Sequence, residues 1–173
     1  MSFPAPRRLP FLLSLAAVVV ALDRLTKHLV STCIPIGGAV PVIPHVLRIT
    51  HWTNEGAAFS LFADSASPHT VRWLLAGFAL LVAFVVLAAL IRLGNRITLA
   101  TVSLALVLAG ALGNVYDRIV YGSVVDFIEV HIFTYHWPDF NVADSSIVVG
   151  ACLLMLDSLL PSKPAATTPA ASA

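Results

Sequence analysis

Two aspartates stand in company that carboxylates usually avoid. Asp126 is flanked by Val124, Val125, Phe127 and Ile128 in GSVVDFIEV, and Asp144 opens the apolar run FNVADSSIVVGACLLML at residues 140–156. Two carboxyl groups brought within hydrogen-bond distance cannot both ionise cheaply, so they share one proton. The charged member deprotonates a water, while the protonated member polarises a carbonyl and then supplies a proton to a leaving amine. A low-dielectric setting widens the split between the two apparent titrations. This is the chemistry of an aspartic hydrolase, and it needs no metal, no cofactor and no covalent intermediate. Plainer roles compete with it. ADSS ahead of an apolar helix is a cap signature for Asp144, and either carboxylate could pair with Arg118. Asp126 has no following helical pattern to cap.

Other hydrolytic chemistries lack their residues. The chain has no G-x-S-x-G elbow and no H-E-x-x-H. His131 and His136 flank IFTY at a spacing that suits neither one helix face nor a standard zinc pair, so they read as surface or interfacial groups and no metal site is expected. A Ser–Lys dyad would need Lys27, the only lysine outside the tail, opposite Ser60 or Ser123, and nothing in the pattern joins them. Cys33 and Cys152 form no redox or metal motif and read as two unrelated buried thiols.

The elements that must position these groups follow from composition. Of 173 residues, 58% are hydrophobic and 11% charged, against about 25% charged in soluble domains. That describes an integral membrane protein, and a net charge of +1 argues against nucleic acid or an acidic partner. Spanning a bilayer takes about 20 apolar residues. The apolar runs give an α-helical protein with transmembrane helices near 9–30, 71–91, 97–116 and 141–160, in one domain over 1–160. The first run could instead be a cleaved leader, since Arg7 and Arg8 precede it, but it continues as an amphipathic segment through Val30. RLGNR at 92–96 makes the middle two spans a hairpin.

Orientation is weakly encoded. Arg7, Arg8, Arg92, Arg96 and Lys163 fall on one side, and Arg24, Lys27, Arg48, Arg72 and Arg118 on the other. Only their concentration in short segments favours termini inside. VLRITHWTNEGAAF has strand-like density followed by a turn signal, so residues 40–62 are expected to form a small sheet at the membrane surface. YGSVVDFIEVHIF reads as further extended runs, and the Pro/Ala/Thr-rich tail at 161–173 as disordered.

Four blocks together carry a resemblance: DRLTK at 23–27, TNEGAAFSLF at 53–62, GALGNVYDRIVYGSVVDFI at 110–128 and HWPDFNVADSSI at 136–147. In these the chain resembles bacterial lipoprotein signal peptidases, also called signal peptidase II. The resemblance implies a four-helix inner-membrane aspartic endopeptidase with a small extracytoplasmic β-cradle, cytoplasmic termini and a site facing the periplasm. Its implied reaction removes the signal peptide of prolipoproteins just before a diacylglyceryl-modified cysteine. Carried over by motif, Asp126 and Asp144 are the catalytic pair, and Asn54 and Gly56 belong to the cradle motif, with Asn54 on substrate backbone. Arg118, on one helix face with Asn114, is implied to bind substrate or lipid, and Asn141 to orient the pair or the substrate carbonyl. Asp23 and Lys27, four apart, read as an intrahelical pair that fixes the first helix. Arg24 stands where the family usually has Gln, and Tyr116 where aliphatic residues are common. Implied partners are prolipoproteins with a lipidated cysteine, membrane phospholipids and globomycin-type inhibitors, with the chain acting as a monomer. The rival readings are a proton-coupled transporter, which would place its carboxylates near the bilayer midplane, and a scaffold without chemistry.

Overall fold

The computed structural model describes residues 8–55 and 68–160. Gly56, Ser60, the rest of the cradle motif and the 161–173 tail lie outside the described residues. The elements run α1 (Leu9–Cys33), β1 (Ala39–Ile43), β2 (Leu47–Asn54), α2 (Pro68–Leu93), α3 (Leu99–Val120), β3 (Val124–Ile132), β4 (Tyr135–Phe140) and α4 (Val142–Leu159). All four helices are long and apolar enough to cross a membrane. The shortest, α4, has 18 residues and at 1.5 Å per residue spans roughly 27 Å, close to a bilayer's hydrocarbon thickness. The chain is a multi-pass membrane protein.

Local chemistry sets the helix limits. A proline opens the first turn of α1, where its missing N–H costs nothing. Thr98 caps α3 reciprocally with Thr101, each side chain accepting from the other's backbone N–H. The α3 exit turns on Gly122, whose φ of +87° is open to glycine at little cost, and whose N–H returns 3.1 Å to the Asp117 carbonyl. Arg72 from the start of α2 closes the same exit. Its Nε donates to the Arg118 carbonyl at 2.6 Å and its Nη2 to that of Ile119 at 3.1 Å.

The four strands form one antiparallel sheet in the order β1-β2-β3-β4. It gathers both long connections, because β2 pairs with β3 in a register that sets Trp52 opposite Asp126 and Asn54 opposite Val124. The sheet thus joins strands from the segment expected at 40–62 to the extended runs expected in YGSVVDFIEVHIF, and it lies at the end of the bundle where α1 and α3 exit and α2 and α4 begin. Trp52, Tyr135 and Trp137 are about half exposed and Phe133 fully so, which suits a headgroup-level position where aromatic rings concentrate.

Helix α3 is the centre of the bundle. Just over half of it (56%) is buried, against 17–22% of the other three. Leu12 of α1, Ala83 and Leu90 of α2, and Ala105, Leu108 and Ala111 of α3 make the apolar core. Outward faces carry Phe78, Phe84, Val148 and Met155, all exposed, as expected when the solvent is lipid. The same inversion corrects the reading of the two cysteines as buried: both are free and exposed, because an apolar thiol loses nothing by facing hydrocarbon.

Small residues let α4 close on α3. A Cβ on Gly110 would stand 2.2 Å from the Ala143 carbonyl oxygen and 2.6 Å from Ser146 Oγ. One on Gly150 would stand 2.8 Å from the Ser103 carbonyl oxygen. Gly110 and Gly150 thus set how closely α3 and α4 pack. Gly110→Ala must separate the two backbones, an overpacking cost of about 1–3 kcal/mol. It should lower the detergent melting temperature, whereas Gly77→Ala, with nothing within 4 Å of its Cβ, should leave it unchanged.

Candidate active site

The site forms where α3, β3 and the start of α4 meet, and Asn141 is its node. Asn141 is fully buried and is the N-cap of α4, so the cap is not Asp144 itself. Its Oδ1 accepts from the Asp144 N–H at 2.9 Å, and its own N–H donates to Asp144 Oδ2 at 3.2 Å. This capping box holds Asp144 at the third helical position. The Asn141 Nδ2 then reaches Asp126 Oδ1 at 2.7 Å. One amide therefore ties together the two aspartates, which come from a strand and a helix. Neither stands in mid-helix, as a midplane relay would require.

Each carboxylate has a second amide. Asn54 Nδ2 donates to Asp126 Oδ2 at 3.0 Å, and Asn114 Nδ2 to Asp144 Oδ1 at 2.7 Å. Asp126, on a strand outside the membrane-spanning helices, has its carboxyl pushed up to about 6. Burial is the largest cause and the Asp144 charge adds to it, while the Asn54 and Asn141 hydrogen bonds and the Lys27 charge oppose it. Such a group changes protonation near neutral pH, which a general acid or base requires.

Arg118 is half-buried beside this pair. Its Nη1 makes one long contact, 3.4 Å to the Asn114 carbonyl, and its Nε has no hydrogen-bond partner among the described residues. Asp144 and Asp126 are its strongest electrostatic neighbours. Donors are thus left over next to the two carboxylates, suited to a carbonyl or phosphate oxygen.

Beneath the pair lies a charge cluster that sequence reasoning saw only in part. Lys27 and Asp23 are each 1% exposed, and their groups meet at 2.8 Å. The Lys27 ammonium also donates to Asn114 Oδ1 at 3.1 Å and forms an ion pair with Asp117 Oδ2 at 2.6 Å. Asp117 in turn pairs with Arg24. Two carboxylates and two cations sum to zero, and Asp23, Lys27 and Asp117 are all buried while Arg24 is partly exposed. Asp23 Oδ1 accepts from the Ala143 N–H at 2.9 Å, one of the orphan donors at the α4 start. Lys27, wrapped in this way, is not placed to activate a serine.

Asp117 was not singled out from the sequence, because its partners stand 90 or more positions away on α1. The one available signal was the pair of unusual residues Arg24 and Tyr116, and the structure brings them together. The Arg24 guanidinium lies 4.7 Å from the Tyr116 ring centre and 5.1 Å from that of Tyr121.

His131 and His136 are also not isolated surface groups. A hairpin makes them directly opposed cross-strand partners, with rings stacked 5.0 Å apart. Their sequence spacing was weighed against a helix and a zinc pair, and a tight hairpin satisfies neither. Both lie 3.0 Å from Glu129 Oε1. Glu129 is held below its usual range chiefly by the Arg48 hydrogen bond.

Removing the Lys27 charge leaves a net negative cluster out of water, at about 3–5 kcal/mol for a broken buried pair. Lys27→Met should therefore melt well below the parent protein in detergent. The double variant Lys27→Met/Asp117→Asn should recover part of that loss, which a thermal-melting series reads directly.

The chain is similar to known proteins over most of its length. The family model for signal peptidase (SPase) II matches residues 15–160. The lipoprotein signal peptidase of Solibacter usitatus is 44% identical over 154 residues, covering 87% of this chain and 92% of that protein. That of Pseudomonas putida is 47% identical over 144 residues, 83% of each. A bacterial membrane enzyme solved by the in meso method at 2.3 Å resolution superposes with a TM-score of 0.72 at 33% identity, over 91% of this chain and 93% of that one. With most of its length matched in sequence and in fold, the chain belongs to the signal peptidase II family.

Proposed function

We propose that this chain is the endopeptidase that removes signal peptides from prolipoproteins, cutting before the lipidated cysteine, with Asp126 and Asp144 as its catalytic pair. The observation that carries the assignment is the convergence of the two carboxylates on Asn141, each with a second amide donor of its own. The ionised member takes a proton from water, and the protonated member polarises the scissile carbonyl and then protonates the leaving amine. The shared proton is held by the pair rather than by a fixed residue. Asn54 and Asn141 tune and orient Asp126, and Asn114 does the same for Asp144. Arg118 offers its unused donors to substrate backbone or to a lipid oxygen. Asp23 and Lys27 are positioning residues beneath the site. Gly56 belongs with Asn54 in the cradle motif.

In this reading residues 1–160 work as one membrane-embedded peptidase domain, a monomer in the bacterial inner membrane, among phospholipids and open to globomycin-type inhibitors. The sheet and the site face the periplasm and the termini the cytoplasm. The concentration of Arg8, Arg92 and Arg96 in short segments at the opposite end supports that orientation.

Asp126→Asn and Asp144→Asn should each lower kcat on a diacylglyceryl-modified prolipoprotein by about 10²–10⁴-fold, with EDTA present throughout and the variants still folded. Near-parental turnover in either variant would remove that residue from the pair. The pH profile has a determined sign as well. Asn54 donates to Asp126 and favours its charged form, so Asn54→Leu raises the Asp126 pKa further above its ordinary value. The limb of the kcat/KM profile that titrates near pH 6 should move to higher pH, and a shift to lower pH would contradict the role given to Asn54.

A further inference from the structure

We propose that the β3–β4 hairpin carries a binding site for a first-row transition-metal dication of the zinc type, with Glu129, His131 and His136 as ligands and Asp139 beside His136. The inference is independent of the peptidase chemistry. Four observations carry it. The ligand atoms of Glu129, His131 and His136 converge to within 4.8 Å of one another. Glu129 Oε1 lies 3.0 Å from the Nε2 of each histidine. The His131 Nε2 is buried yet makes no hydrogen bond among the described residues, so it is close to the carboxylate without being aimed at it. Asp139 Oδ1, 3.4 Å from His136 Nε2, is likewise buried without a hydrogen-bond partner among the described residues.

The donors have the supports that metal ligands use. Arg48 grips Glu129 with Nε on Oε2 and Nη2 on Oε1, each at 2.5 Å, leaving Oε1 a further lone pair toward the histidines. Thr50 Oγ1 donates to Asp139 Oδ2 at 3.0 Å, which turns Oδ1 toward His136. A metal takes imidazole in its neutral form, and with both ligated so, the two carboxylates and one guanidinium leave one net negative charge for a dication to offset. Two imidazoles with carboxylates select zinc, nickel, cobalt or copper over magnesium and calcium. His136 is half-exposed, so its ring has room to turn onto an ion.

The consequence lies in what the hairpin connects. Glu129 is three residues past Asp126 on β3, about 10 Å along the strand, and β4 is the sheet's edge strand and leads straight into Asn141. A metal bridging β3 and β4 braces the two carriers of the site against each other.

The test uses the tag-free full chain in detergent, stripped with EDTA and then offered zinc or magnesium, with metal content measured after desalting and melting followed in parallel. The expected result is one zinc per chain, a higher melting temperature with zinc, and neither effect with magnesium. His136→Gln, at a half-exposed position, should stay folded, lose the bound zinc and lose the zinc-dependent rise in melting temperature. His28→Gln, at an exposed position on α1, should keep both. No retained zinc, or equal zinc in the parent and His136→Gln, overturns the site. Zinc retained with no rise in melting temperature overturns the brace.

Discussion

The rest of the structure depends on an ammonium group held away from water. Lys27 is long enough to reach from α1 to α3, and its ammonium hydrogen-bonds Asp23 and Asn114 and forms an ion pair with Asp117. Buried ion pairs contribute little net stability against an apolar replacement, but a broken one is costly. The cluster therefore acts as a registry device: α1 and α3 must align so that every charge is paired. Asp23 extends that constraint to α4 through the Ala143 N–H, and Asn114 extends it to Asp144.

Asn141 performs the corresponding task at the top of the bundle. A helix start leaves N–H groups without partners, and here the residue that resolves this also contacts both carboxylates. The cap that terminates the helix and the amide that orients the site are one side chain. A primary amide is suited to both roles, since it offers two donors and one acceptor group in a rigid plane. The glycine at 110 allows the approach of α3 and α4 that brings Asn114 within reach of Asp144. Packing by small residues, capping and polar satisfaction thus act on the same few ångströms of structure.

Much of this was legible in the chain. The four spans were visible because bilayer thickness imposes a length and a composition, and Asp126 and Asp144 stood out because carboxylates rarely keep apolar neighbours. What escaped depended on pairing across the fold. Asp117 looked like the end of a span until α1 brought Arg24 and Lys27 to it. Asp144 looked like a cap, although Asn141 takes that position and Asp144 completes the box. His131 and His136 looked unrelated because a five-residue spacing has meaning only once a hairpin folds it back. Extended runs were legible in both long connections, but their pairing into one sheet was not, since strand partners are set by register rather than by local propensity.

The central claim is that Asp126 and Asp144 act as one proton-sharing unit. The most direct test compares turnover of Asp126→Asn, Asp144→Asn and the double variant on one lipidated prolipoprotein. Residues that act as a unit are strongly non-additive, so the double variant should be no slower than the slower single one. If the two losses multiply, the carboxylates act independently and the shared-proton account is wrong.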